Sequence, residues 1–174
     1  MKNFALAFVF IAFSSFISQT QESDSTKELT VEHIWKEYKF YGNGISGFRS
    51  MKDGKHYSRF ALVDEKKSIM RYSFEDLAGT AESILDGKEL VYEGKELKVD
   101  GYEFNDDETK LLLTVNRQKR YRRSFSAEYY LSDLKSKTLS PLDSERKPQT
   151  LASYSPDGEK VAYIYRNNIY VKTI

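Results

Sequence analysis

The sequence predicts an all-β protein, and three observations favour that class. Aromatic residues make up 14% of the 174 residues, with thirteen Tyr and eleven Phe, and these side chains suit the half-buried pleated surface of a sheet. Short apolar or aromatic runs read as strands at residues 111–115, 127–131, 161–165 and 169–172. The third observation is a hairpin unit that recurs along the chain.

The repeated unit occupies residues 48–57, 102–111 and 152–161. Each copy has an aromatic or Met strand end, a polar turn centred on an Asp, a Lys, and then an apolar strand. The turn residues Asp53, Asp107 and Asp157 lie about fifty residues apart, which is the spacing of propeller blades. Asp-Gly, present in two copies, is a strong hairpin signal because Gly accepts the positive φ of tight turns. The repeat predicts a partial β-propeller of two to three blades of antiparallel strands.

The N-terminus predicts an export signal. Lys2 precedes an apolar run over residues 4–17, and residues 18–20 fit a small-x-small cleavage site. The run is shorter than the ~20 residues that span a bilayer. We therefore expect a signal peptide at residues 1–20, a linker at 21–29, the partial propeller at 30–174, and a periplasmic or secreted protein.

Two helical segments are expected within this β pattern. Thr30 can cap a short N-terminal helical turn that contains His33. Residues 74–77 together with 81–85 form a further helix candidate, which Gly79 and Gly87 would limit.

Composition excludes several function classes. With 27 basic and 26 acidic residues, the net charge is +1, so no nucleic acid or membrane partner is expected after signal cleavage. Cys is absent, which excludes disulfides and thiolate metal sites. His33 and His56 are the only histidines, and the acidic residues 106–108 lack the Gly and downstream Glu of a calcium loop. No metal and no cofactor is expected.

Residues 119–134, with the sequence Lys-Arg-Tyr-Arg-Arg-Ser-Phe-Ser-Ala-Glu-Tyr-Tyr-Leu-Ser-Asp-Leu, resemble the N-terminal propeller of the dipeptidyl peptidase IV family. Residues 149–163 resemble its next blade, residues 29–35 its bacterial N-terminal segment, and residues 51–57 its first blade. The resemblance covers about residues 28–174. It implies a serine exopeptidase family that releases dipeptides after Pro or Ala, with an α/β-hydrolase domain capped by a propeller.

The resemblance implies one substrate-binding residue. Arg122 matches the family's propeller arginine, which hydrogen-bonds the substrate carbonyl near the cleaved bond, and a guanidinium suits that role because it is always charged and offers fixed donors. The residue types alone also allow a solvated basic stretch, shared with Arg117, Lys119, Arg120 and Arg123. A single-stranded nucleic acid site is disfavoured by the balanced net charge.

No catalytic residue is expected within these residues. No Gly-x-Ser-x-Gly nucleophile elbow occurs in the sequence, and the family's Glu-Glu pair for the substrate amine would lie beyond Ile174. The predicted function is the N-terminal propeller portion of a dipeptidyl peptidase IV-like serine exopeptidase, inactive alone. Its expected partners are a peptide substrate in the full enzyme and the missing hydrolase domain, encoded in an adjacent reading frame, or a homodimer partner. The alternative is a stand-alone exported module that binds a peptide or a protein.

Overall fold

A computed structural model describes residues 29–42, 44, 47–76 and 79–174. The predicted signal peptide at 1–20 and all but the last residue of the predicted linker lie outside the described residues. The chain divides into two compact units, residues 1–43 and 44–174. None of the helices in the described ranges is both long and apolar enough to cross a bilayer.

The described part of the first unit contains one short helix, α1 (Val31–Trp35). The Thr30 hydroxyl accepts a hydrogen bond from the His33 backbone amide at 3.3 Å, and His33 Nδ1 accepts one from the Thr30 amide at 3.4 Å. This reciprocal pair is a capping box with His in place of the usual Glu or Gln. The helical turn predicted at Thr30 is therefore confirmed.

The second unit is built from antiparallel strands, with a 3₁₀ turn at Gly87–Glu89. The strands are β1 (Arg49–Ser50), β2 (His56–Val63), β3 (Lys66–Ser73), β4 (Ala81–Leu85), β5 (Val91–Tyr92), β6 (Lys95–Glu96), β7 (Val99–Phe104), β8 (Lys110–Lys119), β9 (Phe125–Asp133), β10 (Thr138–Pro141), β11 (Thr150–Tyr154), β12 (Lys160–Tyr165) and β13 (Asn168–Thr173).

These strands form three larger sheets, which we call blades 1, 2 and 3. Blade 1 has the order β1-β2-β3-β4, blade 2 the order β7-β8-β9-β10, and blade 3 the order β11-β12-β13, while β5 and β6 form a separate hairpin. Neighbours in sequence are thus neighbours in each sheet, the up-and-down order of propeller blades. The prediction of two to three antiparallel blades is confirmed.

Blade 2 is buried on both faces, which explains the almost unbroken apolar run at the start of β8. Leu111, Leu113 and Val115 belong to the core cluster shared with blade 1. Leu112, on the opposite face, packs in a second cluster with Val161 of blade 3. Successive side chains of a strand point to opposite faces, so a strand covered on both sides is apolar at every position instead of at alternate ones.

The three predicted Asp turns adopt the same hydrogen-bonded form. In each, the carboxylate of Asp53, Asp107 or Asp157 accepts a backbone hydrogen bond from the residue two positions on, the typical Asx-turn arrangement. The bonds that close the turns are Gly54 N to Met51 O at 3.2 Å, Glu108 N to Asn105 O at 3.1 Å and Gly158 N to Ser155 O at 2.9 Å.

In blades 2 and 3, the residue after the turn Asp contacts the turn of the preceding blade. Glu108 Oε1 accepts a hydrogen bond from the Lys52 amide of blade 1 at 2.8 Å. A Cβ on Gly158 would lie 3.2 Å from the Asp106 amide of blade 2. Gly54, Glu108 and Gly158 all have left-handed φ values, of 66°, 56° and 72°. The turns of neighbouring blades are therefore stacked in one register.

The predicted helix candidate at residues 74–77 with 81–85 is wrong. Ala81–Leu85 is β4, which pairs with β3 in antiparallel register, and residues 74–76 are not helical. Gly79, with a φ of 74°, donates its amide to the Asp76 carbonyl at 3.1 Å and turns the chain into β4. A strand ladder that completes blade 1 is more stable than a helix this short, because helix nucleation is costly. Residues 77 and 78 lie outside the described residues.

The segment that joins blades 2 and 3 is held by Asp143, whose side chain is 12% exposed. Its carboxylate accepts hydrogen bonds from the Tyr163 hydroxyl, from Arg146 Nη1 at 2.9 Å and from two backbone amides. Burial alone would raise the pKa of Asp143, but these donors together hold it well below its usual value. Burial and the neighbouring carboxylate raise the pKa of Tyr163 to about 12.

We expect Gly158→Ala to destabilise the protein more than Gly54→Ala. Both changes place a Cβ on left-handed backbone, at a cost of about 1 kcal/mol, but only the Cβ at 158 meets a neighbouring blade, whereas that at 54 meets open space. Gly158→Ala should therefore lower the free energy of unfolding by about 2 kcal/mol or more, measured by urea denaturation. Equal losses in the two variants would contradict the stacked-turn interface.

The lowered pKa of Asp143 predicts a specific loss of stability in acid. Because the folded pKa lies below the unfolded value, its stabilisation is present above pH ~3.9 and is lost as the pH falls below that value. Asp143→Asn should lower the free energy of unfolding at pH 7 by about 1–3 kcal/mol and flatten its decline between pH ~5 and ~2. Glu145→Gln, an exposed neighbour, is the control, and urea denaturation at stepped pH is the measurement.

Candidate functional site

The connection between the second and third strands is enlarged in blade 2. In blades 1 and 3 this connection is a two-residue turn, 64–65 and 166–167, and all four of these residues have positive φ, as in tight type I′ hairpins. In blade 2, β8 continues to Lys119 and β9 begins only at Phe125. We call this extension, residues 116–126, the hairpin arm.

The base of the hairpin arm is fixed by a β-bulge. The register of β8 and β9 shifts between Val115 and Gln118, where the other two blades make their turns. The Arg117 amide donates to Asp100 Oδ2 at 2.8 Å, and the Arg117 guanidinium lies 4.0 Å above the centre of the Phe125 ring. Bulges of this kind redirect a strand, and here the bulge carries the arm beyond the last residue pair of β7 and β8, Val99 with Val115.

Arg122 lies in the tip of the hairpin arm. The tip is closed by the Ser124 carbonyl, which accepts from the amides of Arg120 and Tyr121 at 3.0 and 3.3 Å. The Arg122 side chain is exposed, and within the described ranges its guanidinium has no hydrogen-bond or ion-pair partner. Tyr121 beside it is 79% exposed. The tip can therefore donate hydrogen bonds to a carbonyl or carboxylate group of a ligand.

The two histidines contribute to turns. His33 is part of the capping box of α1. His56 Nδ1 is paired with Asp53 Oδ2. The hydrogen bond from that ring, followed by the Lys55 backbone amide, lowers the pKa of Asp53 to about 2. Among the described residues no serine hydroxyl bonds to His56; the Ser58 hydroxyl is hydrogen-bonded to the Tyr102 hydroxyl instead, at 2.8 Å. The Asp53–His56 pair therefore belongs to the first turn.

A second group of polar residues lies on the first strands of blades 1 and 2, and the sequence analysis missed it. Arg49 of β1 and Glu103 of β7 stand at the same position of the repeat, two residues before the turn begins. Cavities of about 270 and 350 Å³ both include these two residues in their lining. An alignment of the three copies would have revealed the pair, because the copies carry Arg, Glu and Ser at this position.

The charges in this group are close but not directly paired. Partial burial raises the pKa of Glu103, and the positive charge of Arg49 opposes that rise. Within the described part of the chain, the Arg49 guanidinium donates only to the Phe48 carbonyl, at 3.3 Å, and the Glu103 carboxylate has no hydrogen-bond partner. In the same ranges, no group of three or more His, Asp or Glu side chains could hold a metal ion.

The stacked antiparallel blades and the stacked turns define a portion of a β-propeller. A model of the "Dipeptidyl peptidase IV (DPP IV) N-terminal region" matches residues 105–174, a range that includes the hairpin arm and blade 3. The crystal structure of Porphyromonas gingivalis dipeptidyl peptidase 4 is similar over 84% of this chain and 20% of its own, with 26% identity and a TM-score of 0.67.

Relatives in sequence carry the same kind of name. A Fusarium vanettenii protein named "Probable dipeptidyl-aminopeptidase B" is 32% identical over 115 residues, which are 65% of this chain and 13% of the relative. An Aspergillus clavatus protein named "Probable dipeptidyl peptidase 4" is 39% identical over 66 residues, 37% of this chain and 9% of the relative. The chain therefore spans a small part of the length of these proteins, and what it resembles is part of the N-terminal region of dipeptidyl peptidase IV.

Proposed function

We propose that the chain is the substrate-contacting propeller portion of a serine exopeptidase that releases N-terminal dipeptides from peptides. The observation that carries this proposal is the hairpin arm. Blades 1 and 3 close the same connection with two residues, so the longer arm of blade 2 is not needed for the blade fold. Extensions of a regular scaffold are where binding residues concentrate.

Arg122 is the proposed substrate contact. It stands at the tip of the hairpin arm, exposed and with its donors uncommitted in the described structure. It also matches the propeller arginine that the family resemblance places at the substrate carbonyl. Two neighbouring basic residues have structural contacts instead: the Arg117 guanidinium packs on Phe125, and the Arg120 amide helps to close the tip. We assign the hydrogen bond to the peptide carbonyl to Arg122. The other basic residues of the arm contribute a positive electrostatic potential.

We expect the 174-residue chain to bind Gly-Pro-p-nitroanilide without releasing p-nitroaniline. Binding, followed by ¹⁵N-NMR, should shift the amides of residues 120–124. Arg122→Met should weaken it about tenfold, because a hydrogen bond from a charged group contributes about 1.5–3 kcal/mol. Arg123→Met, in the same tip, is the matched control. Turnover that a serine-directed inhibitor abolishes, or equal losses in the two variants, would overturn the proposal.

We also propose that the protein is exported. The support is the sequence of residues 1–20, in which a basic residue, an apolar run and a small-x-small site follow one another. Expression of the full chain in a bacterial host should yield a periplasmic or extracellular product whose N-terminus, read by mass spectrometry, starts at residue 21. An intact Met1 on protein recovered from the cytoplasm would contradict export.

A further inference from the structure

The first strands of blades 1 and 2 border a cleft that the hairpin arm does not occupy. We define the inner cleft by Arg49, Glu103, Arg117 and Tyr154, which line two cavities of about 270 and 350 Å³. Both cavities include Arg49 and Glu103, so the two spaces meet at these residues. Volumes near 300 Å³ are the lower end of the range for small-molecule sites.

The charged side chains of the inner cleft have few partners in the described part of the chain: the Arg49 guanidinium donates to the Phe48 carbonyl, and the Arg117 guanidinium packs on Phe125. In the described residues no ion pair involves Arg49, Glu103 or Arg117, although the Arg49 charge acts on the Glu103 carboxyl. The Tyr154 hydroxyl is buried and also has no hydrogen-bond partner in that part of the chain. Its pKa is raised, first by burial and then by the charges of Glu103 and Asp107. A buried hydroxyl without a partner is costly, so the wall of the cleft at Tyr154 carries an uncompensated polar group.

The signs of these groups select the class of ligand. Arg49 and Arg117 offer donors and Glu103 offers acceptors in one cavity, whose lining also includes Asp100. A polyanion would be repelled by Glu103 and Asp100, and a simple cation would be repelled by the two guanidinium groups. A ligand with alternating acceptors and donors suits both the arginines and the carboxylates. The peptide main chain is such a ligand, because its carbonyls accept from arginine and its amides donate to a carboxylate.

The inner cleft also lies along an open strand edge. β7 is the last strand of its sheet and pairs only with β8, and Gly101 of β7 lines the cleft without a side chain. An extended peptide can lie along such an edge, where main-chain hydrogen bonds supply the affinity. We propose that the inner cleft binds the main chain of a short extended peptide, with carbonyls on Arg49 and Arg117 and an amide on Glu103. The proposal does not depend on a substrate contact by Arg122.

The test is a ¹⁵N-NMR titration of the full chain with N-acetyl-tetraalanine amide, a neutral peptide that offers only main-chain groups. We expect saturable shifts at residues 100–103, 114 and 117. Arg49→Met and Glu103→Gln should each weaken binding about tenfold. Arg166→Met and Glu145→Gln are matched controls that line neither cavity and should leave binding unchanged.

Two further variants separate the possible outcomes. Tyr154→Phe should leave both binding and stability in urea undiminished, because the hydroxyl it removes is buried from solvent and has no partner in the described structure. Arg122→Met should leave the shifts at residues 100–103 and 114 unchanged and affect only shifts at residues 120–124, so failure at the hairpin arm and failure at the inner cleft can be told apart. Absence of saturable shifts, shifts confined to other residues, or equal affinity of Arg49→Met and the wild-type chain would refute the proposal.

Discussion

The structure depends on the burial of blade 2 between its two neighbours. The first half of β8 has no solvent-facing side, because Leu111 and Leu113 pack toward blade 1 while Leu112 packs toward blade 3. A four-stranded sheet with both faces apolar cannot remain exposed in water. The blades are therefore held together by the packing of their apolar faces.

The stacked turns convert that packing into a fixed register. Face-to-face burial alone tolerates sliding of one sheet over another, because apolar contacts are not directional. Directional contacts at one end of the blades remove this freedom: the Lys52 amide donates to Glu108, and Gly158 approaches the Asp106 amide. The ion pair between Lys52 and Asp106 is exposed and contributes little by comparison. A further hydrogen bond joins blade 2 to the segment before β1: the Tyr102 hydroxyl donates to the Gly47 carbonyl at 2.6 Å.

The sequence predicted the parts of this fold that local chemistry decides. The Asp turns were predictable because their hydrogen bonds form between residues close in sequence. The buried strands were predictable because they are runs of apolar and aromatic residues. β4 was missed because residues 81–85 alone do not identify a strand; their conformation depends on pairing with β3. The inner cleft was missed for the same reason. Arg49 and Glu103 are far apart in sequence, and only the stacking of blades brings both to one cavity.

The three copies of the repeat share the residue that forms their turn and differ at positions that the blade fold does not constrain. Each copy keeps its turn Asp, because that carboxylate satisfies amides in a tight turn. Two of the differences between the copies bear on the proposed sites: the position that carries Arg49, Glu103 or Ser153, and the connection that becomes the hairpin arm only in blade 2. Neither difference disturbs the blade, since one lies at a strand edge beside a cavity and the other extends past the sheet. A scaffold built from repeated units can thus carry different side chains and connections without losing its fold, and in this chain the positions where it does so are the ones to which we assign the two proposed peptide contacts.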